Sequence, residues 1–431
     1  MKKLIQFKLK ILAKLILAKY KPEVIGITGS VGKTSAKEAI FCVLKMKYNT
    51  RQNLKNYNNE IGLPLTIIGV DSPGKSLLGW LKVFFQAIKL LIIKDNNYPK
   101  ILILEMAADR PGDLNYLTSI VRCKVGVITL IGPVHLEFFG TIEEVQKEKG
   151  IMLKKLAPDG WAVLNYDNEK VREMKKMLAT SVNIITYGYS DEAMVRAQEV
   201  IFSSNKNKAV IAGVSFKLTY NGSFVPIFLP NIFGKAAIYA VLAGACVGII
   251  YKMNLVEISQ ALKYYQAAKG RMNLISGIKD TLIIDDSYNA SPQSAIVALE
   301  ALNDVPLVEK AVKYAVLGDM LELGSYSEEG HREVGRKVAA LAINKLIVVG
   351  ERSRDIARGA LAAGMAKDDI FHFNTAEEAG KFIQDRINQN DIILVKGSQG
   401  IRMEKIVKEI MAEPMRAEEL LVRQDELWTD R

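Results

Sequence analysis

Residues 24–35 read VIGITGSVGKTS, an apolar β-branched run that ends in Gly29-Ser30-Val31-Gly32-Lys33-Thr34-Ser35, and the helix-forming stretch AKEAIFCVLK follows. A strand, a glycine turn, Lys-Thr and a helix start gather backbone N–H groups, an ammonium and the positive end of a helix at one point. That chemistry suits the β- and γ-phosphates of ATP or GTP, with the Thr34 hydroxyl left to reach Mg²⁺. The strict pattern G-x-x-x-x-G-K-[ST] needs glycine at 27, where this chain has Ile27. A bare glycine turn is the plain alternative, and the strand–loop–helix setting argues against it.

Further residues able to do chemistry stand just beyond other apolar runs. Glu105 closes ILILE, and His135, one of three histidines, follows VGVITL in LIGPVHLEFFG. A carboxylate and an imidazole beside a nucleotide loop suit Mg²⁺-associated chemistry. Alone, the first reads as a helix cap and the second as a turn histidine. Lys149, taken by itself, is an ordinary surface lysine. In DDSYNASPQS (285–294), Asp285 and Asp286 are placed to orient a ribose or a metal-bound water, and Asn289 offers an amide. The plain alternative is an Asx turn capping a helix that starts at Ser291-Pro292. GDMLELG (318–324) and KGSQGIRMEK (396–405) read either as solvated turns or, for Lys396, Gly397 and Ser398, as an anion-binding loop.

The elements that must position these residues are strands alternating with helices. Apolar runs at 24–28, 101–105, 125–130 and 161–165 predict a mostly parallel sheet wrapped by helices. Alternating runs over 193–230 (VIFSS, AVIAG, VSFKLTY, FVPIFLP) predict a small antiparallel appendage, and 234–268 a helical stretch. A second series at 281–285, 313–318, 345–350 and 391–397 predicts another Rossmann-like α/β domain. The chain is thus α/β and divides into a basic amphipathic helix (1–22), a P-loop-type domain (23–268), a second domain (269–413) and a tail (414–431).

Composition narrows the class. With 431 residues and 49% hydrophobic content the chain can bury more than one core. Cys42, Cys123 and Cys246 are scattered and form no CxxC pair, against a disulfide framework or zinc ribbon and in keeping with the cytoplasm. Of the net charge of +11, seven lysines fall in residues 1–22 with no acid, so the basic balance does not mark a nucleic-acid-binding face. The first 22 residues lack the form of a signal peptide, and Lys82, Gln86 and Lys89 interrupt the longest apolar run, 77–93.

In serial order TGSVGKTS, NYNNEIGLPLT (56–66), LEMAADRPGDL (104–114), GPVHLEFFGT with KEKG (132–150), GRM (270–272), DDSYNASPQS, AVLGDMLELG and LVKGSQGIRME are similar to the motifs of the Mur ligase family. The resemblance covers about residues 23–413 and is strongest to the member that completes the peptidoglycan peptide stem. It implies an ATP-dependent amide ligase joining D-alanyl-D-alanine to a muramoyl-peptide carboxylate through an acyl-phosphate, releasing ADP and phosphate. By the same resemblance Gly29 to Ser35 hold ATP, with Lys33 on the terminal phosphate and Thr34 on Mg²⁺. It further implies that Glu105 and His135 help bind up to two Mg²⁺ ions, that Lys149 is carbamylated to support the second, and that Arg271 and Asp286 meet the nucleotide across a cleft, where the Asn289 amide is expected to join them.

The sequence departs from the family in three places. The first strand begins near residue 23, where relatives carry a UDP-sugar-binding domain. The G-x-H-N…N pattern is replaced by Gly234 with Ala236, Ala237 and Ala240, and Ala107 stands for a glycine. Two alternatives follow: a same-fold ligase acting on another carboxylate, as folylpolyglutamate synthetases do, and a non-catalytic ATP-binding scaffold for wall assembly. Finally, a helical wheel of 1–22 puts Leu4, Ile5, Leu9, Ile11, Leu12, Leu15 and Ile16 largely on one side, with Lys3, Lys10, Lys14 and Lys21 on another. With 77–93 this segment is expected either to pack on the ATPase core or to dock peripherally at the inner face of the membrane or on a protein partner.

Overall fold

The computed structural model describes residues 2–53, 57–204, 211–424 and 428. Asn56 of NYNNEIGLPLT, Ala209 and Val210 of AVIAG, and parts of the 1–22 and 414–431 segments lie outside the described residues. The first nine strands are β1 (Glu23–Thr28), β2 (Thr50–Gln52), β3 (Ile101–Glu105), β4 (Val125–Ile128), β5 (Trp161–Asn165), β6 (Asn183–Gly188), β7 (Val195–Ser204), β8 (Ile211–Tyr220) and β9 (Ser223–Pro230). They form one sheet in the order β2-β3-β1-β4-β5-β6-β7-β8-β9. Pairing is parallel from β2 through β7 and antiparallel from β7 through β9. The antiparallel part joins the parallel sheet directly, through Tyr187↔Val195 and Gly188↔Arg196, and its four alternating runs fold as three strands.

Strands covered on both faces read as continuous apolar runs, and every residue of ILILE in β3 is buried. One face packs against helices Lys33–Leu44 and Lys235–Ile250. The second of these helices is apolar around its circumference because it is enclosed, and its Gly244 lies so close to Ala39 that a Cβ would stand 3.1 Å from that backbone. The opposite face packs against helices Lys2–Tyr20, Gly62–Ile68, Leu77–Ile92 and Ile142–Lys154. Only one stripe of Lys2–Tyr20 takes part: Leu9, Ala13 and Ile16 are buried, whereas Leu4, Ile11 and Leu15 are exposed. The single apolar side expected for this helix is therefore two opposed stripes.

The remaining strands are β10 (Asn273–Ser276), β11 (Leu282–Asp286), β12 (Lys313–Gly318), β13 (Lys345–Val349), β14 (Ile370–Phe373) and β15 (Ile392–Lys396). They form a second sheet, β10-β11-β15-β12-β13-β14, parallel except for β10, with an apolar core on each face. In the first sheet β1 lies between β3 and β4, so the loops after Thr28, Glu105 and Ile128 leave side by side at the carboxyl ends of the strands, where open α/β sheets bind ligands.

Candidate active site

The glycine loop is held in place by its neighbours. Gly29 (φ +148) and Gly32 (φ +87) take backbone conformations that side chains resist, and a Cβ on Gly29 would overlap Thr129 Oγ1. Thr129 donates to the Val31 carbonyl at 2.7 Å, and Ser30 Oγ bonds to Gly132 at 3.0 Å. Gly32 caps helix Lys33–Leu44, so the free N–H groups of that helix open onto the loop. Ile27 is fully buried in β1, which is why a branched side chain stands where the strict pattern has glycine. Lys33 Nζ folds back on the carbonyls of Gly29 and Ser30, at 2.9 and 3.3 Å. Burial lowers its pKa; Glu105 opposes that shift, Arg271 adds to it, and Asp109 opposes it.

Thr34 and Glu105 meet, with Oγ1 donating to Oε2 at 3.0 Å. Glu105 is 4% exposed, and its other oxygen accepts from Asn58 Nδ2 at 3.1 Å. Asn53 clasps the Glu105 backbone from both sides, through its N–H at 2.9 Å and its C=O at 3.1 Å. This all-oxygen pair has the chemistry a hard divalent cation takes. Among the described residues no three His, Cys, Asp or Glu side chains cluster as a complete metal cage. Mg²⁺ is ordinarily held by one or two protein oxygens together with phosphates and water, and the Thr34–Glu105 pair offers such oxygens.

Lys149, on helix Ile142–Lys154, is 1% exposed. Burial lowers its pKa to about 7, helped by the charge of Lys33 and opposed by Asp109, Glu148 and Asp113. The surface reading of Lys149 is thereby excluded. Its neighbour Glu148 accepts from the N–H groups of Gly112 and Leu114, at 3.0 and 2.8 Å, and so fixes the loop that carries Asp109. Asp109 thus acts on Lys33, Lys149 and His135 alike.

His135 sits in the left-handed region (φ +52), a strained backbone for a non-glycine residue. Its Nδ1 meets Glu322 Oε2 at 2.7 Å and its Nε2 faces Asp109 Oδ1 at 3.4 Å. Both ring nitrogens thus engage carboxylates, one from each sheet's loops. The bond to His135 holds the Glu322 carboxyl below its usual range against the effect of partial burial.

From the second sheet, Arg271 lies over the Tyr288 ring at 4.1 Å and acts electrostatically on Lys33. Asp286 is engaged internally: Oδ1 accepts from Met272 N at 3.2 Å and Oδ2 from Lys396 Nζ at 2.6 Å. Lys396 is only 3% exposed and also bonds the Asn289 carbonyl, so it pins the 286–289 turn instead of offering a free ammonium. The exposed Asn289 side chain accepts from Ala290 N at 2.9 Å, and Ser291 and Ser294 form a capping box, as the turn alternative foresaw. Ser398 Oγ accepts from Leu321 N at 2.9 Å, tying this loop to GDMLELG. The sequence reading passed over Asp109, Glu322, Asn53 and Asn58. Asp109, Glu322 and Asn58 lie inside quoted motifs, but a loop acid or amide carries no mark of its partner until the chain is folded.

The glycine loop, the Thr34–Glu105 pair and the buried Lys149 of one α/β unit are faced by Arg271 and Glu322 from the other, an arrangement with the chemistry to hold a nucleotide. Residues 86–248 match the Mur ligase middle domain and 270–399 the Mur ligase, glutamate ligase domain; the chain belongs to the Mur ligase family. It is 29% identical over 404 residues to the UDP-N-acetylmuramoyl-tripeptide–D-alanyl-D-alanine ligase of Bacillus subtilis (strain 168), which covers 94% of this chain and 79% of that one. Among solved structures it resembles MurF from Acinetobacter baumannii (TM-score 0.77, 25% identity, 95% of this chain and 80% of that chain). It also resembles the MurF ligase from Thermotoga maritima in complex with ADP (TM-score 0.76, 26% identity, 94% and 83%).

Proposed function

We infer that this chain is an ATP-dependent amide ligase that joins D-alanyl-D-alanine to the carboxyl end of a muramoyl-tripeptide, releasing ADP and phosphate. The observation that carries the reading is the convergence of Lys33, Thr34–Glu105, Asp109 and Lys149 at one phosphate loop, with Arg271 and Glu322 brought to it from the second sheet. Gly29 to Ser35 take the ATP phosphates, and Lys33 exchanges its loop carbonyls for the γ-phosphate. The peptide carboxylate attacks the γ-phosphorus, ADP leaves, and the D-alanyl-D-alanine amine then displaces phosphate from the acyl-phosphate. Lys33 and Arg271 offset charge on the transferring phosphoryl group. Arg271, Asp286 and Asn289 frame the nucleotide from the second unit, Asp286 through the Lys396-pinned turn.

Thr34 and Glu105 would hold a Mg²⁺ ion, which when bound supplies charge neutralisation on the phosphates. His135, whose two ring nitrogens meet Glu322 and Asp109, would join the ion's ligands only by giving up one of those carboxylates. Lys149 has an amine whose lowered pKa leaves much of it uncharged near neutral pH, the form that adds CO₂. The amine nitrogen bonds to the CO₂ carbon and gives up a proton. The neutral amine beside Lys33 thereby becomes a carbamate anion able to support a second Mg²⁺. The functional units are taken as 23–268 and 269–413, flanked by 1–22 and 414–431. The work is cytoplasmic, and 1–22 with 77–93 are the segments that would meet a membrane or partner.

The test is ADP release with UDP-muramoyl-tripeptide, with and without D-alanyl-D-alanine. Turnover that needs both is expected. ADP release that ignores D-alanyl-D-alanine but responds to glutamate would assign the chain to another acceptor.

A further inference from the structure

Helix Leu77–Ile92 repeats the two-sided pattern of Lys2–Tyr20. Val83, Ala87 and Leu90 are buried, while Leu78, Leu81, Phe85, Ile88 and Ile92 are exposed, Phe85 by 70% and Ile92 by 76%. In Lys2–Tyr20 the exposed set is Leu4, Phe7, Ile11 and Leu15. At the helical period each exposed set points away from the buried set of its own helix. The two helices lie side by side. Lys8 Nζ stands over the Phe84 ring, and Lys19 Nζ bonds the carbonyls of Leu90 and Leu91, both at 2.9 Å. The Tyr20 hydroxyl bonds the Leu90 carbonyl at 3.0 Å and the Ile93 carbonyl at 3.1 Å. The outward stripes therefore adjoin as one apolar face, larger than scattered surface leucines make.

The charge around this face selects its occupant. Residues 1–22 and 73–94 contain eleven lysines and no aspartate or glutamate. A second copy docked face to face would set these lysines against each other, and the two helical segments bring no acid of their own to offset them. An anionic lipid surface supplies both what the lysines lack and what the leucines lack. Among the described residues no helix is long and apolar enough to cross a membrane, so the pair can lie on a bilayer but not span it.

We propose that helices Lys2–Tyr20 and Leu77–Ile92 form an interfacial docking surface for anionic membranes, with the outward stripes at the acyl boundary and the lysines among the headgroup phosphates. The proposal stands apart from the ligase reading, because it is tested by binding alone. The full chain is floated with phosphatidylcholine vesicles and with vesicles containing roughly 30 mol% phosphatidylglycerol. Recovery with the anionic vesicles is expected to be at least about tenfold higher, and to fall by about as much in roughly half-molar salt. The pairs Leu81→Glu with Phe85→Glu, and Phe7→Glu with Ile11→Glu, change only exposed positions. Each is expected to lose about tenfold in recovery while keeping wild-type ADP affinity and circular dichroism. Equal recovery with both vesicle types, or variants that float like the wild type, would overturn the proposal. A dimer in sedimentation equilibrium that Phe85→Glu abolishes would assign the face to a second copy and overturn the lipid assignment.

Discussion

Lys33 and Lys149 repel each other beside the phosphate loop, and that repulsion sets what each is able to do. Burial and Lys33 together bring Lys149 to a pKa of about 7. An ordinary lysine amine frees itself only near pH 10.4. Carbamate formation from labelled bicarbonate is expected to rise as pH passes 7, read by ¹³C NMR. Lys33→Ala removes a charge that lowers the Lys149 pKa, so the same curve should move to higher pH. In CO₂-free buffer the unfolded chain binds the extra proton between about pH 7 and 10, so stability rises with pH across that window. Lys149→Met should flatten that slope in thermal melts. Lys33→Ala should also lower ligation by about two to three powers of ten while leaving the melting curve near wild type. Lys149→Ala should be inactive, with activity partly restored by a short-chain carboxylic acid; full activity without it would end the metal-site role. At this scale the sequence was informative for residues whose type is rare at such a place, a lysine after Gly32 or a histidine after β4. It was silent on Asp109 and Glu322, because an acid in a loop is the commonest solvated residue and only the fold brings these two to His135.

The loops act as elements because the strands beneath them are fixed in register. Gly29 approaches Thr129 too closely for any side chain, and Thr129 in turn holds Val31. Gly29→Ala is expected to push Thr129 aside and lower ATP affinity by about tenfold or more, while strands β1 and β4 keep their pairing. Isothermal titration with ADP, beside a circular dichroism melt, separates the two effects; wild-type affinity would show that the turn adapts. Strands that are nearly all apolar, such as β3 and β15, were legible because both faces are covered. The short strands β2, β10 and β14 were not: they border the sheets, and TRQ at β2 has no apolar pattern at all. The strand β6 carried a readable signal in Ile184, Ile185 and Tyr187, which its position between two turns obscured. The opposed stripes of Lys2–Tyr20 defeated a one-sided reading, since periodicity counts apolar positions without saying which of them the core uses.

Across the whole molecule the site exists only where the two sheets meet. Gly132 lies against Gln293, Gly324 against Glu137, and His135 bonds Glu322, so the single segment that follows β4 in the first sheet's unit touches two segments of the second. On the ligase reading such contacts would shield a labile acyl-phosphate from water, and would open to admit substrates. The His135–Glu322 pair is the ionisable part of this contact. His135 keeps Glu322 below the usual carboxylate range, so the bond persists above that range and is lost as pH falls through the lowered value. Glu322→Gln keeps the shape and removes the charge. It is expected to lower kcat several-fold with little change in ADP affinity, because the phosphate loop is built without it. Small-angle scattering with an ATP analogue should show a larger radius of gyration for Glu322→Gln than for the wild type at neutral pH. The two should converge as the wild type is acidified and its own bond is lost. An unchanged radius with a lowered kcat would place the action of Glu322 on His135 and Asp109 locally, and would remove the pair from the closure of the molecule.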